Sequence, residues 1–197
     1  MTQIARLRSR PEVLDFLLTR RSRPSKTLAA PAPDRATLET LLTAAARSPD
    51  HGKLEPWRFV VLQRGACARL ASLTQGLGSA RAMDPDKLEK DVRAFADAQL
   101  VVAVVAAPKA SDKIPEVEQV MSAGAVCLAL VNAALAAGWG ANWLTGWMAR
   151  DAGFLAQGLG LAEAEFVAGF IHLGTETVVP PERPRPDVSA LTSWVET

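Results

Sequence analysis

The 197-residue chain is 49% hydrophobic and 22% charged, with a formal net charge of +1. That balance fits a single globular domain long enough to bury its own core, and gives no general pull toward nucleic acid or an anionic membrane. The two cysteines, Cys67 and Cys127, form no CxxC pair and have no histidine beside them, so neither a zinc site nor a disulfide framework is expected. Two free thiols and an N-terminal segment without an apolar run lead us to expect a cytoplasmic protein. The longest apolar stretch, residues 123–139, is rich in Ala and Gly and carries Asn132, so it reads as short of a membrane span.

In chain order, Ser9 and Pro11 can open a helix whose apolar positions are Val13, Leu14, Phe16, Leu17 and Leu18, and which leads into Arg20-Arg21-Ser22. A Pro/Ala linker (29–33) precedes Asp34, an N-cap for a helix with Leu38, Leu41, Leu42 and Ala45 on one side. Pro49 disfavours helical geometry at Ser48, so that helix stops at Arg47-Ser48-Pro49. WRFVVL (57–62) reads as a strand, followed by helices over about 66–77 and 85–98, joined through a mobile stretch at Gly76, Gly78, Ser79 and Ala80. LVVAVVA (100–106) suits a strand buried on both faces. A small-sided apolar helix follows over 115–137, ending at Gly138 as a left-handed cap. Residues 140–144 and 166–173 supply two more strands, with a helix over 151–158 between them. The tail is Pro-rich over 180–186, then carries Leu191, Trp194 and Val195, as though it docks on a surface. The sum is an α+β chain of about four strands in one domain spanning 1–197, with a C-terminal extension over about 176–197.

Few side chains here can do chemistry unaided: there are two His, two Cys and no Tyr. GxSxG, HExxH and P-loop patterns are absent, and no metal ligand set is expected. Gly138-Trp139-Gly140 opens like a dinucleotide fingerprint but lacks the third Gly and follows a helix instead of a strand. Difficult chemistry would therefore come from a bound cofactor, which needs an anion site and a ring-binding cleft. Arg20, Arg21 and Ser22 offer two guanidinium forks and a hydroxyl suited to a phosphate, although cations at a helix C-terminus also simply complement its dipole. Ser48 to Trp57 packs a cation, an imidazole, acids and two prolines into a helix-to-strand loop, where function or plain solvation is equally reasonable. Asp50 and His51 are adjacent, a spacing at which side chains seldom face each other. Trp143-Leu144-Thr145-Gly146 reads as a strand running into a glycine-flanked turn that presents backbone N–H groups.

Taken in order, these stretches resemble the short, single-domain members of the nitroreductase family. The resemblance rests on Arg20-Arg21-Ser22, Arg47-Ser48-Pro49-Asp50-His51, Pro56-Trp57, Met121-Ser122-Ala123-Gly124 and Gly140-Ala141-Asn142-Trp143-Leu144-Thr145-Gly146, over about residues 12–175. It implies a nitroreductase-like α+β fold: a mainly antiparallel sheet flanked by helices, with the long buried helix at a homodimer interface. It implies non-covalent FMN shared between subunits, and an oxidoreductase that passes a hydride from NAD(P)H to a nitroaromatic, quinone or similar acceptor by a ping-pong route. In that reading Arg20, Arg21 and Ser22 hold the flavin, Arg47 and His51 reach it from the partner, and Trp143, Leu144 and Thr145 line its ring. Residues 133–138 would meet the nicotinamide. Larger members carry an Asn where this chain has Lys53, and a basic C-terminal contact for which Arg183 and Arg185 are the nearest counterparts. A protein that stores or delivers FMN is the alternative.

Overall fold

Each apolar run that reads as a strand enters one antiparallel sheet. The computed structural model describes Ile4 and residues 6–197. Its elements are α1 (Pro11–Thr19), β1 (Leu28–Ala29), α2 (Arg35–Ala45), β2 (Trp57–Gln63), α3 (Arg64–Ala80), α4 (Pro85–Ala96), β3 (Leu100–Ala106), α5 (Glu116–Ala136), β4 (Gly140–Leu144), α6 (Ala152–Phe154) and β5 (Phe166–Glu176). Strand order is β1-β5-β3-β2, with β4 also paired to β5, and all the pairings described are antiparallel.

β3 is covered on both faces, as its unbroken apolar sequence predicts. Val101, Ala103 and Val105 pack with α3, α4 and α6 residues such as Leu70, Phe95 and Phe154. Leu100, Val102 and Val104 pack with α2 and α5 through Leu41, Val126 and Leu130. The result is a helix–sheet–helix sandwich. Three phenylalanines fix the first layer: Phe95 meets Phe170 edge-on at 5.2 Å and stacks near Phe154 at 5.7 Å.

Local signals set several boundaries. Asp34 caps α2, accepting from the Thr37 N–H at 2.8 Å. At the end of α5, Gly138 (φ +82°) lets the Trp139 N–H reach Ala134 O at 2.9 Å, closing the helix as a Schellman turn. Ser9 does not cap α1; its cap residue is Arg10, with no side-chain bond, and proline in the first turn is its start signal.

Other expectations need correction. A fifth strand, β1, enters the stretch read as linker, because β5 runs on to Glu176 and pairs Leu28 and Ala29. Gly76–Ala80 is no mobile link: α3 is continuous there, and a Cβ on Gly78 would lie 2.2 Å from Leu88, so that glycine admits the α4 side chain. The helix expected over 151–158 is one α turn followed by a π turn, Leu155–Leu159. α5, expected over 115–137, runs Glu116–Ala136; the reading of its apolar stretch as short of a membrane span does not hold, since its length and mean hydropathy of 1.7 match one, but its buried face lies on the sheet beside Leu173 and Ile171. Its other face exposes Val117, Met121 and Leu128, so within one chain it is not buried all round.

Candidate active site

Arg20, Arg21 and Ser22 leave α1 in extended backbone and are stitched to the edge of β4. The Arg23 N–H donates to Ala141 O at 2.8 Å, and the Asn142 amide donates to Arg23 O at 2.9 Å. Arg20 donates to Ser22 Oγ (2.8 Å), Arg21 to Ser22 O (3.1 Å), and Arg185 returns from the tail to Arg20 O (3.2 Å). The Nε atoms of Arg20 and Arg21 are buried without a partner. Burial, then the nearby cations Arg185, Arg21 and Arg23, push the Arg20 pKa below its ordinary value. Arg23 is neutralised by Glu176 and Arg185 by Glu182. Guanidinium N–H groups held together, buried and unpaired make a place for an anion, because each unpaired buried donor is costly.

The β4 end and its turn, residues 142–146, split into two faces, as strand alternation requires. Asn142 and Leu144, with Thr145 and Gly146, line a cleft of about 670 Å³ whose other wall is Ser25, Lys26 and the α4 residues Lys90, Asp91 and Arg93. Trp143 turns the opposite way. Its indole lies over Gly169, where any Cβ would sit 2.2 Å from Nε1, and it donates to Ala168 O at 3.1 Å. Its side chain therefore does not line that cleft. Gly146 (φ +87°) bends the chain out of β4, and Thr145 and Gly146 also wall a second cavity of about 330 Å³ with Val120, Gly124 and Arg150.

Arg47 and His51 lie elsewhere. Arg47 is exposed just past the end of α2, and His51 bonds Glu118 of α5 through Nδ1 at 2.8 Å. None of Arg20, Arg21, Ser22, Arg47 and His51 lines any of the three cavities in the single chain; the cleft wall begins at Pro24, two residues past Ser22. Asp50 is not the partner of His51; it accepts from the Leu54 and Glu55 N–H groups at 2.7 and 3.3 Å, holding the loop. That loop contains Gly52, Lys53 and Glu55, all at positive φ, a tightly specified conformation. Residues 133–138, expected at the nicotinamide, line none of the three cavities; Ala134 sits in the core.

His172 was missing from the sequence-derived set. It is buried on β5, pairs across strands with Asn142, and faces the 670 Å³ cleft beside Phe170. Burial drives its pKa down to about 4, so it is a neutral imidazole at pH 7. The available signal was period-two spacing along β5, which places residues 170 and 172 on one face.

The nitroreductase family profile matches residues 17–175. The Escherichia coli (strain K12) protein provisionally named NAD(P)H nitroreductase YdjA is 33% identical over 164 residues, 83% of this chain and 88% of that one. The fold superposes on a nitroreductase-like family protein from Bacillus cereus with a TM-score of 0.78 at 20% identity, over 100% of both chains. It superposes with a TM-score of 0.73 at 21% identity on a Desulfovibrio desulfuricans protein described as a nitroreductase in complex with FMN, covering 96% of this chain and 100% of that one. A profile that runs from the N-terminal helix through β5, and a relative aligned over most of both chains, place this protein in the nitroreductase family.

Proposed function

We propose that the chain is one subunit of a homodimeric FMN-dependent oxidoreductase that uses NAD(P)H to reduce a small nitroaromatic or quinone-like acceptor in a ping-pong cycle. The observation that carries this reading is the cationic cluster with the buried, unpartnered Nε atoms of Arg20 and Arg21, beside a cleft that ends at the Thr145–Gly146 turn. Bound FMN would supply the hydride and electron chemistry. Arg20, Arg21 and Ser22 hold the phosphate and ribityl side, with Arg185, itself paired with Glu182, bracing the Arg20 backbone. Leu144, Thr145 and Gly146 form the ring wall, and the backbone N–H groups of the turn orient the ring. Trp143 acts from behind, stiffening the turn by its anchor on β5. No tyrosine is available, so acid–base work falls to solvent, the cations of the cleft or a histidine.

The dimer reading is supported by apolar faces with nothing on them in the single chain. Val13, Leu14, Leu17 and Leu18 of α1 are exposed, as are Met121 and Leu128 of α5 and Leu191, Trp194 and Val195 of the tail. A symmetric partner covering them would bury on the order of 2,000–5,000 Å² and bring Arg47 and His51 to the other subunit's flavin.

The purified protein is expected to be yellow, with a flavin site on every chain. Arg21→Ala should weaken FMN by roughly ten- to a hundredfold, the scale of a charge-assisted contact. Arg35→Ala is the control, since Arg35 is paired only with Glu39 on the surface of α2. Fluorimetric FMN titration of both variants decides: equal affinities would leave Arg21 as a helix-end cation, and a colourless chain that ignores FMN would overturn the function.

A further inference from the structure

His172 is 3% exposed, yet it lines the largest cleft that borders the ring turn. Among the described residues no side-chain or backbone group bonds its ring. Its nitrogens are also not among the fully occluded, unsatisfied polar atoms, so they open onto the cleft. A buried imidazole with free nitrogens is costly unless something outside the chain pairs with them. Several nearby polar groups are already engaged elsewhere. Asn142, opposite it across the strands, commits its N–H₂ to Arg23 O. Asp91 is held by the Trp147 indole at 2.9 Å, and Arg93 pairs with Asp97 at 3.2 Å. Phe95, with its ring centroid 6.2 Å away, backs the imidazole with an apolar surface. A neutral imidazole donates from one nitrogen and accepts at the other, which matches the alternating N–H and C=O edge of a pyrimidine-type ring.

We propose that His172 is a positioning residue for the cofactor, its imidazole hydrogen-bonding a polar atom of the flavin ring from the floor of the cleft. The inference rests on the FMN reading above. His172→Phe keeps a planar ring and removes both bonds; His172→Gln keeps a donor and an acceptor. The Phe variant should weaken FMN about three- to tenfold and shift the flavin midpoint potential, while Gln stays within about twofold of wild type. In histidine-¹⁵N-labelled wild-type holoprotein, the His172 ring signal should move when the flavin is reduced with dithionite. A folded Phe variant with unchanged affinity and potential overturns the proposal; so does a His172 signal that ignores reduction, which decides the matter if the variants do not fold. FMN binding that depends on Arg21 but not on His172 removes this inference and leaves the function standing, whereas a wild-type chain that binds no FMN removes both.

Discussion

At the scale of single residues, His172 also writes a pH dependence into stability. Its ordinary pKa is 6.5 and burial lowers it to about 4 in the folded chain. As pH falls below 6.5 the unfolded chain takes up a proton that the folded chain refuses. Stability fully present above 6.5 is therefore lost as pH drops toward 4, by on the order of 3 kcal/mol. Between pH 7 and pH 4 the wild type should lose more stability than His172→Gln, measured by urea unfolding at each pH; parallel profiles would show that this imidazole is not shielded. Residue-level reading of the sequence succeeded where a local rule suffices, as at the Asp34 cap and the Gly138 terminus. It could not show which way Trp143 turns. Alternation says that Asn142 and Trp143 face oppositely, but only the register of β4 on β5 decides which side is the cleft.

At the scale of elements, α4, the α6 turn and β5 are locked together by Phe95, Phe154 and Phe170, all nearly inaccessible to solvent. Phe154→Ala should cost about 3–5 kcal/mol, seen as a lower urea midpoint at unchanged slope. A loss below about 1 kcal/mol would mean that the short turn repacks around the hole. The main strands and helices were legible because hydrophobic period and length agree for each. What failed were features fixed by a distant partner: β1 exists only because β5 extends to meet it, and Gly78 reads as a flexible point until Leu88 is seen filling its side. Glycine in a helix has two physical uses, freedom and room, and sequence alone does not separate them.

At the scale of the whole molecule, the proposed dimer would divide the site between chains. Arg20, Arg21 and the ring turn share one neighbourhood, while Arg47 and His51 lie at another, next to the N-terminal end of α5. Mixing Arg21→Ala and His51→Ala chains after unfolding and refolding tests the division. Each parent dimer has two damaged sites, but a mixed dimer has one doubly damaged site and one intact. Activity should return to about a quarter of wild type at random pairing. Verified mixed dimers without recovery would show that the two residues do not serve one flavin from opposite subunits. The order of motifs along the chain made the family readable; the proposed distribution of the site over two subunits rests on exposed apolar faces that one sequence does not position.

The placement of the two thiols has a chemical consequence for the proposed reduction of quinones. Quinones arylate thiolates by conjugate addition, so an accessible cysteine near the reacting ring would be consumed by the substrate. Here Cys127 lies under the Trp143 indole and Cys67 donates to Leu62 O from within the other layer, and burial pushes their thiols up to about 12 and about 11. Neither presents thiolate at neutral pH. Treated with excess benzoquinone at pH 7, the native chain should gain no thiol adduct by intact-mass spectrometry, while the chain in urea gains up to one at each cysteine. Adducts on the native protein at Cys67 or Cys127 would show that the layers open often enough to expose them. With both thiols inside the sandwich and no tyrosine in the chain, the protein would withstand the quinones proposed as its acceptors.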